Sequence, residues 1–192
     1  MFLQIGTFQL DQFHFHWGND NGGKGSEHTY HGKQYDAELH FVHYNTECGY
    51  DLTSALTNCP NHKAAAVLGV FIDADGGDNH AWDELIYGLK KIKTENTKVE
   101  IHPFDMSKLM PHDLNEFYRY DGGLTTPNCD EVVTWTVFKV NKLVLSGAFT
   151  LVDDTFYVLI PGMCQDFKEA IETFLRSDNY KHFRWFYWSF GR

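Results

Sequence analysis

The feature that most restricts how this chain can fold is an alternating segment, TFQLDQFHFHW, at residues 7–17. Period-two alternation reads as a strand, and a strand sends residues i and i+2 to one face. His14 and His16 therefore leave the sheet together, with Phe15 on the other side. A second segment at 35–44, YDAELHFVHY, alternates in the same way. It puts Glu38, His40 and Val42 on one face and Leu39, Phe41 and His43 on the other. If the two strands pair, His40 completes a set of three histidines.

Three neutral imidazoles leave Zn²⁺ one open tetrahedral position, which separates a catalytic site from a closed structural one. A zinc so held brings its water to a pKa of about 7, so no protein nucleophile is required. Glu38 beside His40, and Gln12 beside His14, can each accept an imidazole N–H and fix the tautomer. Spacing by itself leaves a structural role for these histidines open. His43 faces away from the set and reads as structural. His31, His62, His80, His102, His112 and His182 have no partner pattern and read as surface residues.

Residues 65–73, AAVLGVFID, form a continuous apolar run bounded by DADGGD, as expected of a strand buried on both faces. Residues 131–140, EVVTWTVFKV, are a β-branched strand. A helix is predicted at about 81–93, with Trp82, Leu85, Ile86, Leu89 and Ile92 as its apolar stripe. Asp78 or Asn79 would cap its start, and Lys90, Lys91 and Lys93 suit the end of its dipole. A second helix is predicted near 166–176, and the aromatic stretch FRWFYWSF at 183–190 is ambiguous. The fold class is mixed α and β, dominated by strands, and 192 residues fit one domain.

A net charge of −10 argues against nucleic acid, whose phosphates need surplus Lys and Arg, and against an anionic membrane surface. The longest apolar run, 64–72, is too short to span a bilayer, so no transmembrane segment is expected. MFLQIGTFQL at the start lacks the basic and apolar regions of a signal peptide. Residues 18–25 nearly form a phosphate loop, but Gly25 stands where Ser or Thr must bind Mg²⁺. Asp73, Asp75, Asp78 and Glu84 faintly suggest a calcium loop, but Asp78 stands where Gly is needed. Both read better as turns. Cys48, Cys59, Cys129 and Cys164 allow three pairings, and no CxxC pair among them suggests a zinc knuckle.

Six motifs occur in one order: QFHFHWG (12–18), GSEHT (25–29), AELHFVHYN (37–45), AVLGVF (66–71), GLTTP (123–127) and VTWTVF (133–138). In these residues the chain resembles the α-class carbonic anhydrases, from about residue 5 to about 142. The resemblance implies a twisted, mostly antiparallel central sheet with peripheral helices in a single domain over 1–192. It implies Zn²⁺ as cofactor and CO₂ and bicarbonate as small-molecule substrates. By motif, His14, His16 and His40 match the zinc ligands. Thr125 matches the residue that orients the attacking hydroxide, and Glu27 its buried acceptor. Val42, Val67, Leu124 and Trp135 match the apolar wall where CO₂ waits, and Thr126 lies beside Thr125 in the pocket. Gln12 and Glu38 match the partners of the ligands. His28 and Tyr120 match buried hydrogen-bonding positions, Tyr120 bordering the pocket.

The resemblance also sets expectations where the chain departs from the family. A family segment ahead of Gln12, which supplies the proton-shuttling His, has no counterpart here. Cys129 matches a disulfide cysteine of extracellular members, which favours an extracellular protein. Its family partner lies in that same segment, which predicts an unpaired Cys129. Cys48 can pair with Cys59, without support from the resemblance. Residues 143–163 leave the family pattern, and one extra residue lies between His16 and His40. The rival reading is a non-catalytic binding or extracellular-matrix module. Such relatives usually lose a zinc histidine, whereas all three are present here beside Thr125 and Glu27. Nothing in the sequence sets the oligomeric state.

Overall fold

Strand β1 (Phe8–Trp17) is followed by a short hairpin of β2 (Thr29–Tyr30) and β3 (Lys33–Gln34), then by β4 (Ala37–Asn45). Helix α1 (Leu52–Asn58) leads into β5 (Ala65–Asp73). A 3₁₀ turn (His80–Trp82) runs into α2 (Asp83–Leu89), and a second 3₁₀ turn covers Met106–Leu109. Strands β6 (Phe117–Gly122), β7 (Val133–Phe138) and β8 (Leu143–Val144) complete the order. The computed structural model describes residues 7–18, 24–59, 63–73, 80–89, 91, 99–126, 128–139 and 143–144.

The main sheet runs β1-β4-β5-β7-β6, with β8 beside the end of β5. β1–β4, β4–β5 and β6–β7 pair antiparallel, while β5 pairs with β7 and with β8 in parallel. The mostly antiparallel, strand-dominated expectation agrees with this. Strand β5 coincides with the continuous apolar run, and both its faces are covered.

Each face of the sheet has its own core. On one face Leu39, Phe41, Val70, Ile72, Trp82, Leu85 and Leu109 are buried, with Phe13, Phe15 and Trp17 packed against them. Trp82 and Leu85 of the predicted stripe serve this core, with Ile86 packed against it. The opposite face holds Val42, Val67, Phe71, Tyr120, Trp135 and Val137. It is the face on which the histidines emerge.

The helix predicted at 81–93 begins within the 3₁₀ turn His80–Trp82 and is α-helical over Asp83–Leu89. Its expected caps, Lys90, Ile92 and Lys93 lie outside the described residues, as do the helix predicted at 166–176 and the tail at 183–190. Helix α1, the β2–β3 hairpin, the 3₁₀ turn at Met106–Leu109, β6 and β8 escaped the sequence reading. Helix α1 starts at a capping box, in which the Asp51 carboxylate accepts from the Ser54 N–H and the Ser54 hydroxyl faces the Asp51 backbone N–H. The β2–β3 hairpin turns through His31 (φ 50°) and Gly32 (φ 75°), two left-handed residues of the kind that two-residue turns require. Strand β6 alternates Tyr118 and Tyr120 against Phe117, Arg119 and Asp121.

Cys48 and Cys59 form a disulfide, with Cα atoms 5.6 Å apart. The expectation of an unpaired Cys129 is overturned. Cys129 is disulfide-bonded. No helix among the described residues is long and apolar enough to cross a membrane.

Candidate metal centre

The register of the sheet assembles the site. His14 lies opposite His40 across the β1–β4 pair, Gln12 opposite Val42, and His16 opposite Glu38. Directly paired residues share a face, so these six project together. Beyond β4 the rows continue. His40 lies opposite Gly69, and Val42 opposite Val67, which pairs with Trp135 and then Tyr120. A register shift between Leu10 and Gln12 marks a bulge at the start of the site, a common place for a bulge that re-aims side chains.

The three imidazoles converge. Their ring centroids lie 4.9 Å (His14–His16), 5.3 Å (His14–His40) and 4.5 Å (His16–His40) apart. One nitrogen from each ring lies within 4.8 Å of the others. The remaining nitrogens show which atoms are left for a metal. His14 Nδ1 is 2.9 Å from Gln12 Oε1, to which it donates. His40 Nε2 donates to Glu38 Oε1 at 2.8 Å. His14 thus offers Nε2 and His40 offers Nδ1.

His14 Nε2 faces His16 Nε2 at 3.0 Å. With His14 donating through Nδ1, its Nε2 is an acceptor. His16 Nδ1 lies 3.3 Å from Glu27 Oε1 without a well-aligned hydrogen bond, so in the metal-free chain a proton on His16 Nε2 is shared with His14 Nε2. A metal held there would displace that proton to His16 Nδ1, which faces Glu27. Tetrahedral Zn–N bonds of about 2.0–2.1 Å put ligand nitrogens roughly 3.3 Å apart, so the donor set fits Zn²⁺.

Burial keeps all three rings neutral, as a metal ligand must be. It pushes His14 down to about 3, aided by the neighbouring His40. His16 falls well below its ordinary value through burial and then through His40 and His14. Burial lowers His40 too, against the raising influence of Glu38.

Glu38 organises the inner half of the centre. Besides His40, it accepts the His28 backbone N–H at 2.8 Å and His28 Nδ1 at 2.6 Å. His28 Nε2 accepts from the Tyr120 hydroxyl at 2.6 Å. Burial pushes the Glu38 carboxyl up, but His28 and His40 outweigh it and hold it well below the usual range. His28, Glu38 and His40 also form a compact donor cluster. Both Glu38 oxygens are occupied by hydrogen bonds, so this cluster is a support rather than a second ion site. Gly69 makes room for it, since a Cβ there would stand 2.9 Å from Glu38 Oε1.

Ser26, which sequence reasoning missed, positions the segment carrying Glu27 and His28. Its hydroxyl accepts from the Tyr35 N–H at 2.9 Å and donates to the His28 carbonyl at 2.7 Å. The available signal was a small polar residue inside GSEHT. Glu27 is buried, with Oε2 3.9 Å from His40 Nδ1. Burial raises its carboxyl well above normal, Glu38 adds to that, and the Thr125 hydroxyl opposes it. Neither Glu27 oxygen has a well-aligned hydrogen bond, nor has His16 Nδ1.

Thr125 and Thr126 sit in the turn between β6 and β7, both half-buried. Leu124 N–H donates to the Asp130 carbonyl at 3.0 Å, and Cys129 N–H to the Thr126 carbonyl at 2.9 Å. Cys129 holds φ 59°, an uncommon left-handed conformation. Trp135 Nε1 donates to the Gly123 carbonyl at 3.1 Å and ties the turn to the wall. Val42, Val67 and Trp135 are buried in one apolar cluster, with Leu124 packed against it. Tyr120 lies in the same cluster, stacked 8° from parallel with Trp135. His43 turns away from the site, with Nδ1 donating to the Phe41 carbonyl at 3.1 Å.

Three converging imidazoles set against an apolar wall on a sheet define a candidate metal-centre protein. The family model for eukaryotic-type carbonic anhydrase matches residues 2–149, and the chain belongs to that family. It is 39% identical over 132 residues to human carbonic anhydrase 12. That match covers 69% of this chain and 36% of the relative, so the chain spans about a third of that protein's length.

Proposed function

We propose that this chain is a zinc-dependent carbonic anhydrase, interconverting carbon dioxide with bicarbonate and a proton. The observation that carries the reading is the convergence of three neutral imidazoles whose outward nitrogens face Gln12, Glu27 and Glu38. His14 and His16 would hold the metal through Nε2, and His40 through Nδ1. A bound Zn²⁺ supplies Lewis-acid activation of water at neutral pH.

The chain's own residues do the rest. Gln12 and Glu38 fix the tautomers of His14 and His40. Thr125 donates its hydroxyl proton toward Glu27, leaving its oxygen lone pairs to orient the attacking water. Its backbone N–H and Thr126 would flank the product oxygens. The wall of Val42, Val67, Leu124 and Trp135 admits an uncharged substrate and disfavours a charged one. Presence of all three histidines with Thr125 and Glu27 supports the enzyme over a non-catalytic module. Disulfide bonding of Cys48, Cys59 and Cys129 supports an oxidising, extracellular setting.

The test is stopped-flow CO₂ hydration by the zinc-loaded chain. Hydration above the buffer rate, lost on chelation and restored by zinc, is the expected result. A folded chain carrying zinc without any hydration would contradict the proposal. In Thr125→Ala, zinc stays bound and turnover falls about a hundredfold. Unchanged turnover would remove Thr125 from the chemistry.

A further inference from the structure

Helix α1 has only seven residues, too short to persist alone in water. Its two ends are nevertheless tied together. The disulfide joins Cys48, three residues before the Asp51 cap, to Cys59, the residue that ends the helix. Asn58 Nδ2 donates to the Cys48 carbonyl at 2.8 Å and closes the same loop. Below the helix, Ala55 is buried with Tyr44 and Cys48. Leu52 and Cys59 pack against this small cluster and also against the larger one that holds Val42, Val67 and Trp135. Leu56 packs against the larger cluster alone. The cross-linked helix thus packs on β4 and β5 and against the cluster that contains the apolar wall.

We infer that the Cys48–Cys59 bond positions the apolar wall of the candidate site, by pressing Leu52 and Leu56 of α1 against it. The bond acts on ligands that use the wall and not on those that reach only the three histidines. Cys48 and Cys59 are positioning residues, since neither lies in the imidazole corner. The inference rests on the proposed function, and two probes separate the two.

Benzenesulfonamide would place its nitrogen at the metal and its ring on the wall, whereas thiocyanate would use the metal alone. Titration calorimetry is done on the zinc-loaded chain and on the double variant Cys48→Ser with Cys59→Ser. The expected result is benzenesulfonamide binding about tenfold weaker in the variant, with thiocyanate unchanged. Equal affinities for benzenesulfonamide in the two proteins would overturn the inference, even if the variant melts at lower temperature. Loss of affinity for both probes in parallel would overturn it too, because the effect would then reach the metal corner. If the double variant does not fold, Leu56→Ala with the disulfide intact is read by the same two probes, against the same outcomes. Failure of the unaltered chain to bind zinc or thiocyanate at all would instead count against the proposed function.

Discussion

The two halves of the metal centre are built differently. The inner half, on β4, is a closed network in which Glu38 takes hydrogen bonds from His40 and, twice, from His28, which in turn is held by Tyr120. His40 and Glu38 are buried to within 1% of full exclusion. The outer half, on β1, is simpler. His14 is only partly buried and its Nδ1 donates to a Gln12 that is itself exposed, while His16 beside it is buried. A buried polar network is costly to leave incomplete, whereas an exposed hydrogen bond can be replaced by water. The inner half therefore belongs to the stability of the fold as well as to the metal. In the outer half, His14 and Gln12 serve the metal alone.

The sharpest way to break this contrast is to remove one ligand from each half. His40→Ala and His14→Ala should both lose tight zinc binding, because two imidazoles do not hold the metal as three do. Only His40→Ala should also lower the melting temperature of the metal-free chain, since it leaves Glu38 short of a donor. Stoichiometric zinc in purified His40→Ala would refute the ligand assignment.

Next in size is Glu38→Ala. It strands three donors (His28 N–H, His28 Nδ1 and His40 Nε2) in a buried place. The expected destabilisation is about 3–5 kcal/mol in denaturant unfolding. A loss no larger than that of a surface substitution would mean that the inner network is not structural.

Acid should strain both halves. The folded pKa of His14 is about 3 against an ordinary 6.5, and His16 and His40 are lowered too. The folded chain then binds fewer protons than the unfolded one, so its stability rises with pH. That contribution is complete above about pH 6.5 and is lost as pH falls toward 3. Glu38, also lowered, adds in the same sense below its ordinary 4.5. Glu27 is raised and works the other way, but it is one group against three histidines. The metal-free chain should melt at a lower temperature at pH 5 than at pH 7, and a flat profile would contradict the burial of these rings.

The smallest effect is expected from Gln12→Ala, with zinc affinity about tenfold weaker and the metal-free melting temperature unchanged. A drop in stability as large as that of Glu38→Ala would erase the distinction between the halves.

Much of this was legible in the sequence because strands have a period of two. His14, His16, Glu38, His40 and Val42 fell on one face by alternation, and the apolar run gave β5 its bounds. Pairing was legible only as a condition, since alternation does not state which strands are neighbours or in what register. The roles of Thr125, Glu27, Trp135 and Tyr120 came from the resemblance, because they meet the histidines only through long-range packing. Gly69 and Ser26 gave no periodic signal, and each matters through the space or the bond it gives a neighbour. Helix α1 was missed because LTSALTN is short and weakly striped, and its stability comes from a cap and a cross-link. Cys129 was misjudged because the family's pairing assumed a partner in another segment.

The most direct test of the account is X-ray absorption at the zinc edge of the loaded chain. The account predicts three imidazole nitrogens at about 2.0–2.1 Å and one oxygen in the open position. A sulfur ligand, or a shell with only two imidazoles, would contradict it.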